Sequence, residues 1–134
     1  MKKIILKDDN YCFVCGKNNR LGLKLDLRLQ TDKTIICEFV AQKEHQGFFN
    51  IVHGGIIGLI MDEAMVNLLW KLGVKAVTSE FVMRLKNPAY VGGKLIFTAC
   101  IEKQAKRVYY TKAVCKNKEG LIIATGTAKC IKVD

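Results

Sequence analysis

Leucines occupy every second position over residues 21–30, in the stretch LGLKLDLRLQ. An apolar residue at every second position gives a strand one buried face and one exposed face. The turn-like TDK at Thr31 to Lys33 leads directly into a second apolar stretch, TIICEFVAQ. The two stretches therefore predict a β-hairpin near the start of the chain.

A different pattern runs from about Gly54 to Leu72, where apolar residues occupy most faces of a helical projection. The run is too long for one strand, and Gly73 stands where a C-cap glycine commonly ends a helix. A helix that is apolar nearly all round is a core helix. This segment therefore predicts one long, central, buried helix.

Alternation returns in KAVTSEFVMRLKNPAYV, which Pro88 bends or ends. The apolar face of this predicted strand carries Val77, Ser79, Phe81, Met83 and Leu85. Three more strands follow in GKLIFTACIEKQ, RVYYTKAVCKN and GLIIATGTAKCIKV, with NKEG at Asn117 to Gly120 as the loop between the last two. This order predicts an α+β fold in which a curved antiparallel β-sheet wraps around one long α-helix.

Size, charge and hydropathy limit the class of protein. With 134 residues, half of them hydrophobic, the chain predicts a single domain over residues 1–134. It shows no run long enough to cross a membrane and no signal peptide, which predicts a cytoplasmic location and no membrane partner. The net charge of +10 favours anionic partners. The basic residues are scattered and no nucleic-acid-binding motif occurs, so a phosphate-bearing small molecule is favoured over nucleic acid.

Six cysteines are present, but the chain does not have the character of a small secreted disulfide scaffold. We therefore expect free and mostly buried thiols. Cys12 and Cys15, in the N-terminal segment over residues 1–20, have the CxxC spacing of zinc and redox sites. No second CxxC or nearby histidine completes four ligands within one chain. Packing of the segment is the favoured interpretation and no metal is expected, with zinc shared between two subunits and redox activity as alternatives.

Two acids, Asp62 and Glu63, interrupt the apolar run NIVHGGIIGLIMDEAM. At its start, Gly54 and Gly55 place unpaired amides at the positive end of the helix dipole, which is the geometry of an oxyanion hole. Asp62 lies eight residues later, about 12 Å along the helix axis. One carbonyl group cannot contact both within one chain. In a symmetric dimer, which the exposed edges of the sheet predict, the two can face each other across the interface.

These residues resemble the hotdog-fold thioesterases, particularly the phenylacetate-pathway type that hydrolyses acyl-coenzyme A. The resemblance runs from CFVCG at Cys12 through the last strand and rests on HQGFFNIVHGGIIGLIMDEAM, with an acid nine residues after the histidine of HGG. It implies a hotdog fold, hydrolysis of an acyl-CoA thioester, and no cofactor apart from the coenzyme A of the substrate. It also implies a homodimer or a dimer of dimers.

The resemblance also implies roles for particular residues. Asp62 is the nucleophile or general base, and the Gly54 amide polarises the thioester carbonyl from the other subunit. Thr78, ten residues before Pro88, assists the acid or its water. His53 stands at the start of the helix, where its ring can hydrogen-bond to backbone, so a positioning role is favoured for it over direct acid–base chemistry. The residues predicted to bind substrate are Gln46, Gly47, Asn50, Gly55, Phe81 and Arg84.

Two positions depart from the family pattern. Some relatives carry Asn or Gln six residues before the HGG histidine, where this chain has Gly47, so the neighbouring Gln46 is the candidate substitute. A glycine commonly found three residues before that histidine is Asn50 here, a residue that tolerates the left-handed conformation.

Further candidates concern the acyl group and the phosphates. The predicted acyl-pocket residues are Phe48, Phe49, Trp70, Phe81 and Met83, and the predicted phosphate contacts are Arg84, Lys86, Lys103, Lys106 and Arg107. Two alternatives stay open: a non-catalytic acyl-CoA sensor or carrier with the same fold, and a structural role in which Asp62 pairs with a basic residue of a partner subunit.

Overall fold

Six strands and one long helix make up the computed structural model, which describes residues 3–133. The strands are β1 Arg28–Leu29, β2 Ile35–Val40, β3 Ala76–Leu85, β4 Lys94–Ala105, β5 Val108–Asn117 and β6 Ile122–Lys132. A short 3-10 helix, Lys43–His45, precedes the long helix α1, Gly54–Lys71. The strands form one antiparallel sheet in the order β1-β2-β4-β5-β6-β3.

Helix α1 packs on the sheet and contacts strands β2 to β6. It begins at the N-cap His53 and is followed by Gly73, whose positive φ of 85° suits glycine. Its fully buried large side chains are Ile60, Met61, Met65, Leu68 and Leu69. The predicted fold, a sheet around one central helix, is therefore confirmed. Across residues 3–133, no helix has both the length and the apolarity that crossing a bilayer requires.

The predicted strand over residues 21–30 is wrong in extent. Only β1, two residues long, pairs with β2, and the Gln30 amide donates to the Thr34 carbonyl to close the predicted turn. The remainder pairs with the N-terminal segment instead: the amides of Leu23 and Leu25 donate to backbone carbonyls of residues 13 and 14. Lys24 between them has a φ of +53°, which interrupts an extended strand.

Strand β3 contains a β-bulge at Ser79, because Thr78 pairs with Cys130 while Glu80 pairs with the adjacent Lys129. The extra residue shifts the alternation by one. Thr78, rather than the predicted Ser79, therefore shares the helix-facing side with Phe81. Strand β3 is also one edge of the sheet, and its ten residues make it much longer than the other edge strand, β1.

Candidate active site

Asp62 lies half-buried in the middle of α1 and is held by a strand residue. Its Oδ1 accepts a hydrogen bond of 2.7 Å from the Thr78 hydroxyl. The Thr78 oxygen also lies 3.9 Å from the sulfur of Cys130. Within residues 3–133, Asp62 forms no ion pair and its Oδ2 has no hydrogen bond. One carboxylate oxygen is therefore fixed by a neutral hydroxyl, and the other is available for chemistry.

The start of α1 carries a second set of polar groups. The Gly55 amide donates to Nδ1 of His53 at 2.8 Å, so the expectation that both glycine amides are unpaired is wrong for Gly55. The Gly54 amide donates no hydrogen bond within the described chain. A side chain at Gly54 would place its Cβ 2.7 Å from the Leu85 Cδ1 atom of β3. Gly54 therefore offers the free amide at the positive end of the helix.

A cleft of about 790 Å³ opens beside this helix start. The residues that line it include Gln46, Gly47, Phe48, His53, Gly54, Leu85 and Lys86. The left-handed conformation predicted for Asn50 is confirmed by its φ of +62°, and its amide donates to Oε1 of Gln46 at 3.1 Å. The structure thus brings Gln46, Gly47, His53 and Gly54 together. Asp62 does not line this cleft.

The predicted acyl-pocket residues do not gather in one place within a single chain. Phe48 lines the helix-start cleft, although Phe48 and the adjacent Phe49 are both almost fully exposed. Phe81 and Met83 lie against Gly58 of α1, between the helix and the sheet. Trp70 lines a separate cleft near the N-terminal segment.

The predicted phosphate contacts are also dispersed. Lys86 lines the helix-start cleft. Arg84 belongs to a shallow depression on the sheet face that points away from the helix. Lys103, Lys106 and Arg107 lie near the β4–β5 turn, where the Lys103 ammonium sits 4.5 Å from the ring centre of a tyrosine and the Arg107 guanidinium donates to a backbone carbonyl. Only Lys86 lies beside Gly54 in the same chain.

A further polar cluster, which the sequence did not predict, surrounds Glu63. The thiols of Cys12 and Cys15 lie 3.4 and 3.5 Å from the two Glu63 carboxylate oxygens, and the Asn67 amide nitrogen donates to one of them at 3.0 Å. Burial raises the pKa of Glu63. Burial, with the Glu63 charge second, also raises the pKa of the Cys15 thiol well above its ordinary value. We call these four residues the Cys–Glu cluster.

Comparison with known proteins identifies the family. The model of the Thioesterase superfamily matches residues 49–124, more than half of the chain. The chain belongs to the thioesterase superfamily. The matched segment contains the start of α1, Asp62 and Thr78, and it excludes Cys12 and Cys15. The predicted resemblance to hotdog-fold thioesterases is confirmed.

The individual relatives compared below share 30% or less of their aligned residues with this chain. The chain is 30% identical to human acyl-coenzyme A thioesterase 13 over 95 residues, which cover 69% of this chain and 68% of that protein. Among solved structures, the thioesterase superfamily protein RHA08564 superposes with a TM-score of 0.87 at 19% identity. That alignment covers 92% of this chain but only 61% of the longer relative.

Two other solved structures share the fold. PaaI of the phenylacetic acid degradation operon of E. coli has a TM-score of 0.77 at 19% identity, over 82% of this chain and 84% of PaaI. A hypothetical thioesterase of Streptococcus pneumoniae TIGR4, solved with coenzyme A, has a TM-score of 0.76 at 14% identity, over 81% and 84% of the two chains. The pneumococcal protein was also solved as two alanine variants. One replaces an aspartate, and the other replaces a threonine 16 residues later.

Proposed function

We propose that the chain hydrolyses an acyl-CoA thioester to a free acid and coenzyme A, with Asp62 as its catalytic carboxylate. The observation that carries the proposal is the arrangement of Asp62, which has one oxygen fixed by the Thr78 hydroxyl and the other free. A carboxylate kept only for structure in a half-buried helix normally has a cation or several donors around it. Asp62 has one neutral donor within the described chain.

The substrate class is supported by the relatives and by charge. The human relative is named an acyl-coenzyme A thioesterase, and the pneumococcal neighbour was solved with coenzyme A. The alanine variants of that neighbour replace an aspartate and a threonine with the same separation, 16 residues, as Asp62 and Thr78. A net charge of +10 suits a ligand that carries phosphates, and Lys86 provides a cation beside the helix-start cleft.

The chemistry needs one base or nucleophile and one oxyanion donor. In the nucleophilic route, Asp62 Oδ2 bonds to the thioester carbon, the carbon–sulfur bond breaks and coenzyme A leaves as a thiolate. Water then hydrolyses the resulting anhydride. In the general-base route, Asp62 takes a proton from the water that attacks the same carbon, the carbon–sulfur bond breaks, and coenzyme A leaves as a thiolate that takes up a proton. In both routes the Gly54 amide stabilises the negative charge on the carbonyl oxygen.

These two parts of the site come from different subunits in our proposal. Gly54 and Asp62 are about 12 Å apart along one helix, too far to act on one carbonyl. Within a chain, Gly54 lies beside Leu85 at the end of β3, and Asp62 contacts Thr78 near its beginning. If two copies of the long edge strand β3 pair antiparallel about a two-fold axis, each Thr78 end meets the Leu85 end of the partner subunit. A homodimer then contains two composite sites.

His53 acts in this scheme as a positioning residue. Its Nδ1 accepts a hydrogen bond from the Gly55 amide and caps α1, which stabilises the first turn of the helix, where Gly54 lines the cleft. Gln46 lines the same cleft and its Oε1 accepts a hydrogen bond from the Asn50 amide, which leaves its side-chain nitrogen as the group that donates to substrate in this scheme.

The test is hydrolysis of a panel of acyl-CoA thioesters, from acetyl to palmitoyl together with phenylacetyl and benzoyl, by the wild type and by Asp62→Asn. Loss of thioester absorbance in the ultraviolet is the readout, because the accessible thiols among the six cysteines would disturb a thiol-reactive dye. Asp26→Asn is the matched control, since the Asp26 side chain is 77% exposed. We expect turnover by the wild type and the control, and loss of most of the rate in Asp62→Asn.

An unchanged rate in a folded Asp62→Asn protein would exclude the carboxylate mechanism. If the wild type hydrolyses none of the thioesters but one of them raises its melting temperature, the site binds without chemistry. The chain would then be an acyl-CoA sensor or carrier.

A further inference from the structure

The Cys–Glu cluster stands apart from the proposed chemistry and has the composition of a metal site. One ligand atom each from Cys12, Cys15 and Glu63 lies within 4.8 Å of the other two. The cysteines come from the N-terminal segment, and Glu63 comes from the middle of α1. Three potential ligands thus converge from two distant parts of the sequence.

The turn that carries the cysteines is tightly constrained. The Gly16 amide donates to the Cys12 carbonyl at 2.8 Å. A Cβ atom at Gly16 would lie 2.4 Å from the Cys12 nitrogen, 2.6 Å from its carbonyl oxygen and 2.7 Å from the Asn10 carbonyl oxygen. Those are backbone atoms, so only glycine fits here without moving the chain. The CxxCG sequence therefore forms a closed turn that directs both thiols to the same carboxylate.

The distances fit the coordination of zinc. In a tetrahedral site, Zn–S bonds of about 2.3 Å and Zn–O bonds of about 2.0 Å hold sulfur and oxygen ligands about 3.5 Å apart. The sulfur–oxygen separations in the cluster are 3.4 and 3.5 Å, each to a different oxygen of the Glu63 carboxylate, so a small shift of the carboxylate must bring one oxygen to this distance from both sulfurs. Thiolates also select a soft ion such as Zn²⁺ over Mg²⁺ or Ca²⁺.

Asn67, one helical turn after Glu63, completes the surroundings. Its amide nitrogen donates to Glu63 and lies 3.9 Å from the Cys15 sulfur, whereas its Oδ1 is buried without a hydrogen-bond partner in the described chain. A half-turn of the amide group would exchange the two atoms and place Oδ1 3.9 Å from the Cys15 sulfur, from where a small movement toward the cluster would make it a fourth ligand.

We infer that Cys12, Cys15 and Glu63 bind one Zn²⁺ ion per chain, with the Asn67 amide oxygen as the fourth ligand. Binding replaces the two contacts from thiol to carboxylate: each thiol releases its proton to solvent, and the thiolates and the carboxylate bind the metal. The ion fastens the N-terminal segment to α1 at the residue next to Asp62. Its role is structural, because all four positions are occupied by protein.

The first experiment measures metal in the wild-type protein purified under reducing conditions without chelator. We expect about one zinc per chain by elemental analysis. Replacement of zinc by cobalt should produce a thiolate-to-cobalt charge-transfer band and the intense visible bands of a tetrahedral ion. These readouts do not depend on thioesterase activity. Absence of zinc together with absence of the charge-transfer band after cobalt addition would overturn the inference.

Variants then identify the ligands. Cys12→Ser, Cys15→Ser and Glu63→Gln should each lose zinc or change the cobalt spectrum, and Cys100→Ser is the matched control because Cys100 lies outside the cluster. Circular dichroism checks that each variant is folded. Stoichiometric zinc and an unchanged cobalt spectrum in Cys12→Ser would contradict the site. If a cysteine variant fails to fold, the zinc X-ray absorption spectrum of the wild type is the alternative test. We expect both sulfur and oxygen ligands around the zinc, and a ligand shell without sulfur would refute the inference.

Discussion

The Thr78 hydroxyl donates to Oδ1 of Asp62 at 2.7 Å, which joins the middle of the central helix to the edge strand of the sheet. The contact depends on the β-bulge at Ser79, because the extra residue turns Thr78 toward the helix while Phe81 stays on the same face. A regular strand that kept Phe81 inward would turn position 78 outward. The bulge therefore positions the acid's only described hydrogen-bond donor.

Replacing Thr78 with Val removes the hydroxyl and retains the shape of the side chain. A hydrogen bond to a charged group contributes about 1.5–3 kcal/mol, so we expect kcat to fall by roughly 10-fold to 100-fold with little change in KM. Thr78→Ser should retain most of the activity. Steady-state kinetics on the best acyl-CoA substrate measures both constants. Thr127→Val, at an exposed position of β6, is the control, and an undiminished kcat in Thr78→Val would show that the hydroxyl does not assist the acid.

Gly54→Ala should impair both stability and turnover. The added methyl group would lie 2.7 Å from Leu85 Cδ1, the end of a side chain that is 54% exposed, so either the Leu85 side chain rotates away or the first turn of the helix moves. A displaced amide no longer points at the carbonyl oxygen, and we expect kcat to fall at least about tenfold. Leu85→Ala in the same chain removes the clash, and the double variant should recover much of the rate relative to Leu85→Ala alone. Wild-type kinetics in Gly54→Ala would argue against the oxyanion role.

His53 is expected to matter for stability more than for chemistry. His53→Ala removes the N-cap acceptor of α1 and should lower the free energy of unfolding by about 1 kcal/mol. His53→Asn retains an acceptor and should lose less. Urea unfolding measures the difference, and kcat is compared in the same preparations. A loss of kcat in His53→Asn as large as that in Asp62→Asn would assign the imidazole to the reaction itself.

The sequence predicted the architecture well where hydrophobic periodicity decides it. The helix over residues 54–71 and strands β3 to β6 follow directly from their apolar patterns. The strand predicted over residues 21–30 is too long because an alternating pattern indicates which side chains are buried and does not indicate which segment the backbone pairs with. Leu27 is buried as alternation requires, but the partner of this segment is the N-terminal turn, and a positive φ at Lys24 interrupts it.

The site was predictable only in part, for reasons of distance along the chain. Local spacing identified Gly54 and Asp62, the family resemblance identified Thr78, and the structure shows the hydrogen bond between Thr78 and Asp62. The association of Glu63 with the CxxC turn joins residues 48 and 51 positions apart, and no local pattern encodes it. The prediction of the acyl pocket is wrong within one chain for the same reason, since residue spacing does not show which distant residues come together. Phe81 and Trp70 are both apolar, but in the fold Phe81 lies between the sheet and the helix, and Trp70 lines the cleft near the N-terminal segment.

The composite site makes a prediction about mixed dimers. If Asp62 of one subunit acts with Gly54 of the partner subunit, a heterodimer of an Asp62→Asn chain and a Gly54→Ala chain contains one intact site. With two affinity tags to isolate the heterodimer, we expect about half of the wild-type activity per dimer, although both parent homodimers are impaired. A heterodimer no more active than its parents would contradict a shared site.

A second heterodimer distinguishes a site shared between two subunits from a site within one chain. A wild-type chain is paired with a chain that carries both Asp62→Asn and Gly54→Ala. If each site combines two subunits, every site in this heterodimer has one altered member, so activity should be strongly reduced. If each site lies within one chain, the wild-type subunit keeps its own site and about half of the activity remains. Because both heterodimers contain one copy of each substitution, they differ only in how the two changes are distributed, and the difference in rate reports directly whether the Gly54 amide acts across the interface.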